Sequence, residues 1–177
     1  MEQETVKNYF GSQKKKASNL KWSITLGHHQ ALRNLYGIDR DGKDLKLYWE
    51  VYPFPTFSLQ ELLKSKSLRK SSISSIIRQI LSFICHTRKL DILHGGLIPQ
   101  NILCMELSSD YLVKIRSLES CSIFSQGQPQ NENYYPSHYQ RNSFLAPDLI
   151  ALCLLTLELY TGLEPSLEDV LSKMEEK

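Results

Sequence analysis

The 177-residue sequence predicts an α+β fold. Two short apolar and aromatic runs, at 32–38 and 45–52, favour a β-hairpin, and an amphipathic stretch at 72–90 favours a long helix. Two further strand-like runs, at 102–104 and 112–115, precede an apolar stretch of helical length at 148–161. Short strands together with longer helices give the α+β class.

Composition indicates one domain with a sizeable core, since 41% of the residues are hydrophobic and 23% are charged. A formal net charge of +2 gives no electrostatic reason to expect nucleic acid or a membrane surface as a partner. No two of the cysteines are close enough for a CxxC motif, and three lie in apolar runs, which predicts buried free thiols in a reducing compartment; the four are Cys85, Cys104, Cys121 and Cys153.

The expected location is the cytoplasm. Residues 1–4 are acidic and polar, unlike a signal peptide, and the longest apolar run, 149–157, is too short to span a membrane. The basic run Lys14-Lys15-Lys16 is either a solvated helix face or a nuclear signal, which keeps the nucleus as an alternative.

The first half of the chain alternates turns with regular elements. Residues 1–19 are polar without a strong period, so we expect them to be frayed or weakly helical. The hairpin turn lies in 39–44, where Asp41-Gly42 marks a tight turn, and the prolines of 52–55 break regular structure. Ser58 and Glu61 form a capping box that begins a short helix.

The long helix at 72–90 has its apolar residues at i, i+3, i+4, i+7, i+8 and i+11, which predicts a broad buried face. That face comprises Ile73, Ile76, Ile77, Ile80, Leu81 and Ile84.

In the second half, residues 108–110 supply the turn between the two strand-like runs, and 125–143 form a long irregular segment. Gly162 ends the apolar helix, and a last amphipathic helix begins near Ser166 with a capping box to Asp169.

Several fragments in this order resemble protein kinases. Residues 29–37 (HQALRNLYG) resemble "HPNIVRLYG" before kinase strand four, and 45–52 resemble strand five and the hinge, with Glu50 at the first hinge position. Residues 94–101 (HGGLIPQN) resemble the catalytic loop "HRDLKPEN", and 113–115 resemble the strand before the "DFG" metal motif. Residues 148–152 (DLIAL) and 158–162 (ELYTG) resemble "DIWSL" and "ELLTG" of helix F.

The resemblance implies a protein kinase-like fold: a mostly α-helical lower lobe with a short remnant of the N-lobe sheet. Residues 1–19 would be a polar N-terminal segment, 20–52 the N-lobe remnant and hinge, and 53–177 an incomplete C-lobe. Spacing places Asp148 at the helix F aspartate and Tyr135-Pro136-Ser137 at the "APE" motif, rather than Ala146-Pro147-Asp148.

At the positions that phosphoryl transfer requires in that family, catalytic residues are missing. Gly96 stands where the loop aspartate would accept the substrate proton, Gly95 where an arginine would stand, and Ile98 where a lysine would meet the phosphate. Ser117 replaces the metal-binding aspartate of "DFG", and only Asn101 keeps a metal-ligand position.

The N-lobe positions are equally degenerate. No Gly-rich loop precedes His29, the strand-three lysine would fall at or before Met1, and residues 5–37 contain no acid that could serve as the helix C glutamate near Leu20. Trp49 occupies the gatekeeper position, where its bulk would crowd an adenine pocket. We therefore expect no enzyme activity, no cofactor, no metal and weak or no ATP binding.

The resemblance implies structural roles for the motif remnants His94, Asn101 and Asp148. The histidine would pack beneath the metal loop, and the aspartate would hold the backbone of the catalytic loop. The glycines at 95 and 96 suit a turn without catalytic constraint. The expected function is an inactive scaffold that docks or regulates a protein partner, with an active kinase as one candidate.

Two alternatives remain open. The chain would be a shortened kinase-like product that does not fold alone, or a nucleotide-dependent enzyme that uses Glu119 or Asp110. Modification sites are a further hypothesis for Ser71, Ser72, Ser74 and Ser75, otherwise a loop and N-cap, and for Tyr134, Tyr135 and Tyr139, otherwise loop aromatics.

Overall fold

A computed structural model of the chain describes residues 2–4, 10–41, 44–65, 68–123 and 147–164, and it confirms the α+β class. Within these ranges, four α-helices accompany two three-stranded antiparallel sheets and one two-stranded sheet. The irregular segment predicted at 125–143, the "APE" assignment at 135–137 and the last helix predicted from Ser166 lie outside the described residues.

The first sheet has the strand order β1-β3-β2, with β1 at Glu2–Glu4, β2 at Leu35–Asp41 and β3 at Asp44–Trp49. The β2–β3 pair confirms the predicted hairpin, and its register closes with Asp41 opposite Asp44. Tyr36 lies at a register shift between Leu35 and Gly37. The short N-lobe remnant that the resemblance implies would leave strand edges within 32–52 uncovered. Instead, β1 pairs with β3, so among the strands of this range only β2 lies at a sheet edge.

Helix α1 spans Phe10–Leu26, and its part before residue 20 lies in the segment 1–19 that was expected to be frayed or weakly helical. It contains neither proline nor an acidic residue, and four of its 17 residues are lysine and three are serine, so its apolar face is narrow. Trp22 and Leu26 are nevertheless buried in the core, and the helix packs against a 3-10 turn at Leu118–Ser120. The boundary predicted between 19 and 20 therefore lies inside a continuous helix.

Strand β4 (Thr56–Ser58) leads directly into α2 (Leu59–Ser65). The predicted capping box is present: the Ser58 N–H donates to Glu61 Oε2 at 2.6 Å, and the Glu61 N–H donates to Ser58 Oγ at 3.3 Å. These hydrogen bonds to Ser58 lower the pKa of the Glu61 carboxyl. Local chemistry thus fixes where this helix begins.

Helix α3 spans Lys70–Lys89 and confirms the predicted long helix. Four of the six predicted core positions are buried and Ile77 is half-buried, but Leu81 is 40% exposed, so the buried face is narrower than the periodicity predicted. The four serines expected in a loop and N-cap lie inside the helix, which begins after Arg69. Ser74 Oγ donates to the Lys70 carbonyl at 3.0 Å, which satisfies its hydroxyl within the helix.

The second sheet has the order β4-β6-β7, and the two predicted strand runs become β6 (Ile102–Glu106) and β7 (Tyr111–Ile115). The side chain of Gln79 on α3 bonds the outer edge of β7. Its Nε2 donates to the Tyr111 carbonyl at 2.9 Å, and the Val113 N–H donates to its Oε1 at 2.9 Å. A two-stranded sheet pairs β5 (Ile92–Leu93) with β8 (Ser122–Ile123).

Helix α4 spans Pro147–Thr161 and ends before Gly162, whose φ of +71° suits a glycine at a helix end. It packs against α3 and buries Ala151, Leu154 and Leu155. Two cysteine predictions are wrong: Cys104 and Cys121 are buried, but Cys85 on α3 and Cys153 on α4 are exposed. An apolar run on a helix still turns one side toward solvent, and these two cysteines lie on that side.

Candidate functional site

The loop that stands out in the sequence, 94–101, connects β5 to β6 and ends in a 3-10 turn at Pro99–Asn101. Asp148, in the first turn of α4, is buried beside it with 2% of its surface exposed. The carboxylate accepts a hydrogen bond from the His94 N–H at 2.8 Å and another from the Gly95 N–H at 3.1 Å. Asp148 thus holds the loop backbone, which is the role that the resemblance implies for it.

His94 is fully buried at the start of the loop. Its Nδ1 accepts a hydrogen bond from the Gly96 N–H at 3.2 Å, so the ring proton is on Nε2, which donates to the Arg116 carbonyl at 3.2 Å. The ring also meets Phe83 edge-on, with centroids 5.7 Å apart. Burial lowers the pKa of His94 although the nearby Asp148 carboxylate opposes this shift, and the neutral imidazole fits both hydrogen bonds.

The two glycines of the loop have different reasons to be glycine. Gly95 has a φ of +68°, a conformation that side chains disfavour. A Cβ on Gly96 would lie 2.8 Å from Ser120 Oγ and 3.0 Å from Ser120 Cβ. Ser120 is itself buried, so the space for an aspartate at position 96 is already occupied. Steric packing against Ser120 thus gives a reason for glycine at position 96 that the sequence did not indicate.

Asn101 uses both ends of its side-chain amide within the protein. Its Nδ2 donates to the Gly96 carbonyl at 3.0 Å, and its Oδ1 accepts a hydrogen bond from Ser117 Oγ at 2.9 Å. The Asn101 amide oxygen, at the position expected for one metal ligand, is thus hydrogen-bonded to the Ser117 hydroxyl. The resemblance places Ser117 where that family has its second metal ligand. Ile98, at the expected lysine position, is half-buried against the core.

Ser117 has a left-handed backbone with a φ of +65°, which is uncommon for a residue other than glycine. It leads into the 3-10 turn Leu118–Ser120 and, with Glu119, lines a cavity of about 160 Å³. Trp49 is buried in the opposite wall, and the Arg33 guanidinium lies 5.7 Å from its ring centroid. Of the two residues considered for unconventional catalysis, Glu119 lines this cavity and Asp110 does not.

Sequence reasoning missed a buried ion pair beside this site. Lys114 Nζ on β7 lies 3.1 Å from Glu50 Oε2 and also donates to the Leu32 carbonyl at 3.4 Å. The same Glu50 oxygen accepts hydrogen bonds from the Asn34 N–H, the Asn34 side chain and the Tyr52 hydroxyl. Burial and the Glu50 charge raise the pKa of Tyr52. Lys114 and Glu50 are 64 residues apart, so no local pattern marks the pair.

No protein-family model matches the chain. Among the described residues, no cluster of three or more histidine, cysteine, aspartate or glutamate side chains could hold a metal ion. In the same part of the chain, no helix is long and apolar enough to cross a membrane.

Loop 94–101 contains no carboxylate of its own. Asp148 is bound to the loop backbone, and Asn101 and Ser117 are bound to each other. The site thus consists of an internally hydrogen-bonded loop next to a cavity with polar walls.

Proposed function

We propose that the chain is a catalytically inactive, protein kinase-like domain that acts as a protein-binding module. The observation that carries this proposal is the hydrogen-bond chain from Ser117 Oγ to Asn101 Oδ1 and from Asn101 Nδ2 to the Gly96 carbonyl. The three positions at which the family holds the metal ions and the catalytic base are thus joined to one another.

The order of elements supports the kinase-like part of the proposal. A helix, a β-hairpin, a short capped helix, a long helix, the 94–101 loop, a strand pair and a buried helix follow one another along the chain. The carboxylate of Asp148 reaches back to the loop, as the resemblance implies for the helix F aspartate. This contact joins residues 54 positions apart, and it supports the proposal independently of the short motifs.

The packing around Gly96 supports the absence of phosphoryl transfer. An aspartate there would need Ser120 to move, and Ser117 offers a hydroxyl where Mg²⁺ chemistry needs a carboxylate. The site therefore retains the loop architecture without its acid–base and metal groups.

A protein partner is supported by the surface between α1 and β2. Ile24 is 69% exposed and Tyr36 is 63% exposed, and both line a groove of about 380 Å³. Residues 5–37 of the sequence contain no acidic residue, and Lys15 and Lys21 on α1 are exposed, which favours a partner with an acidic segment. An active kinase, or a substrate of another enzyme, is the partner class that the resemblance implies.

The first test is a thermal melt of the purified chain with and without millimolar ATP and Mg²⁺. A ligand present at a hundred times its Kd adds about 2.7 kcal/mol to the free energy of unfolding and raises the midpoint by several degrees. We expect a cooperative melt without a shift. A shift that requires Mg²⁺ would contradict the proposal, and the absence of any cooperative transition would favour a product that does not fold alone.

The second test addresses the partner by proximity labelling with the wild-type chain and with the double variant Ile24→Ser, Tyr36→Ser. We expect the labelled set to include a protein kinase or a kinase substrate and to lose it in the variant. The matched control is Leu107→Ser, a 40%-exposed leucine between β6 and β7. Equal labelling by all three proteins would contradict the proposed surface.

A further inference from the structure

His29 lies between the end of α1 and the start of β2 and packs against α3. Its ring stacks on His86 with the ring centroids 5.0 Å apart, and it meets Phe83 edge-on at 5.8 Å. Its Nδ1 accepts a hydrogen bond from the Ala31 N–H at 3.1 Å, so the ring proton is on Nε2, which donates to Ser82 Oγ at 3.3 Å. The neutral ring thus uses both of its nitrogens.

The hydrogen bond from Ala31 belongs to a turn that attaches residues 27–34, the connection between α1 and β2, to the edge of β7. Ala31 is buried, and its carbonyl accepts a hydrogen bond from the Ile115 N–H at 2.7 Å. The Arg33 N–H donates to the Ile115 carbonyl at 3.2 Å, and the Leu32 N–H donates to the His29 carbonyl at 2.9 Å. The His29 side chain and carbonyl therefore both hold the turn that pairs with Ile115.

The connection 27–34 also forms much of the groove that we propose for a protein partner. The groove is completed by Ile24 on α1 and Tyr36 on β2, among others. The residues that the connection contributes to its lining are Gly27, His28, Leu32, Arg33 and Asn34. A change in how the connection packs against β7 therefore changes the shape of the groove.

A second proton on the His29 ring is incompatible with this packing. Nδ1 would become a donor and would face the Ala31 N–H, which is also a donor. The backbone N–H of a buried residue would then lose its acceptor, which costs free energy. The turn is therefore stable only with a neutral ring.

The charges around His29 oppose protonation as well. Burial lowers the pKa of His29, and His86 on α3, His28 in the same connection and Lys114 on β7 lower it further through their charges. Lys114 is paired with Glu50 at 3.1 Å, which compensates part of its charge. Three elements thus place titratable or charged groups around one ring.

We propose that His29 acts as an acid-sensitive switch: protonation of its ring detaches the connection 27–34 from the edge of β7 and reshapes the groove. The connection stays attached at neutral pH, where the ring is neutral. Detachment begins as the pH falls below about 6.5, toward the lower pKa that His29 has in the folded protein. Acid-sensitive binding of a partner follows from this, and that last step rests on the proposed function.

The test is amide hydrogen exchange of the full chain, measured by NMR at about pH 7.5 and about pH 5.5. The Ile115 amide reports on the connection because it donates to Ala31, and the Val113 amide on the same strand is the reference because it donates to Gln79. After correction for intrinsic exchange rates, the protection of Ile115 relative to Val113 should fall by about threefold or more at the lower pH. An unchanged ratio would overturn the proposal.

A matched pair of variants assigns the effect to His29. His29→Asn should keep an acceptor for the N–H two residues further on, as asparagine does in turns, but it does not titrate. The ratio of protection should then be the same at both pH values. His28→Asn is the control, because it removes an exposed neighbouring histidine and should retain the fall. A fall that persists in His29→Asn would contradict the proposal.

A measurement on the wild type makes the test independent of the variants. The chemical shift of the Ala31 amide should titrate together with the His29 ring, because the two are hydrogen-bonded. Separate titration curves would overturn the proposal. None of these measurements requires a partner or ATP, so their outcome is distinct from the tests of the proposed function.

Discussion

The carboxylate of Asp148 lies 2.8 Å from the backbone nitrogen of His94, and this hydrogen bond ties the first turn of α4 to the start of the 94–101 loop. A second hydrogen bond reaches Gly95 N at 3.1 Å. Both donors are buried and Asp148 is 2% exposed, so water does not replace the carboxylate if it is removed.

Asp148→Ala should lower the free energy of unfolding by about 2–5 kcal/mol, because it leaves two buried N–H groups without an acceptor. Chemical denaturation monitored by circular dichroism measures the loss. Asp91→Asn is the control, since Asp91 is exposed and asparagine tolerates its φ of +57°. A loss below about 1 kcal/mol in Asp148→Ala would show that the loop does not depend on this contact.

Gly96→Ala should destabilise the protein by about 1–3 kcal/mol, because the new methyl group would lie 2.8 Å from Ser120 Oγ. Adding Ser120→Gly should recover part of that loss, which a double-mutant cycle measures as a coupling energy. Gly37→Ala is the control, since its Cβ would meet Tyr48 at an ordinary 3.5 Å. Strict additivity of the two changes at 96 and 120 would refute the steric explanation.

Lys114→Met should cost about 2–4 kcal/mol of stability, because it leaves the half-buried Glu50 carboxylate without its cation while the Asn34 and Tyr52 donors remain. The double variant Glu50→Gln, Lys114→Met should be more stable than Lys114→Met alone, since it removes the uncompensated charge. Urea denaturation of the wild type, of Lys114→Met and of the double variant measures their free energies of unfolding. A double variant less stable than Lys114→Met would contradict this account.

The stability should fall as the pH drops below about 6.5. Burial lowers the pKa of His94 in the folded protein from its ordinary 6.5, so the unfolded chain binds more protons between the two values. The stabilisation from a neutral His94 is therefore complete above the pKa that His94 has in the unfolded chain. It is lost as the pH falls toward the lower pKa that His94 has in the folded protein. His29, whose pKa is lowered by burial and by His86, acts in the same direction.

Thermal melts at about pH 7.5 and about pH 5.5 measure this dependence. His94→Gln should be less stable at the higher pH and should lose less between the two values, because it no longer titrates. If His94→Gln shows the same pH dependence as the wild type, groups other than His94 cause the loss of stability at low pH.

Local chemistry made several elements predictable from the sequence. Ser58 and Glu61 are three residues apart and form the capping box by themselves, and the isoleucines of α3 repeat with the helical period. Helix α1 was harder to predict because Trp22 and Leu26 are buried, but so is Lys16, and these three do not form a clear apolar pattern. Tertiary packing stabilises this helix more than its own periodicity does.

The details of the candidate site depend on contacts between distant residues. The sequence shows a glycine at position 96, but the reason for it is Ser120, 24 positions away, and the partner of Glu50 is 64 positions away. Motif comparison pointed to His94, Asn101 and Asp148, whereas Arg33, Lys114 and Ser120 carry no local signal. Packing contacts and hydrogen-bond geometry decide these roles, and both exist only once the chain is folded.

The outer edge of β7 has a further consequence. Gln79 bonds the backbone at Tyr111 and Val113, and at Ile115 the strand exchanges hydrogen bonds with Ala31 and Arg33. A single amide side chain and a short piece of loop thus take the place of a fourth strand. Exposed strand edges are where β-rich proteins polymerise, and the β7 edge is less available for such pairing because backbone groups at Tyr111, Val113 and Ile115 are already engaged.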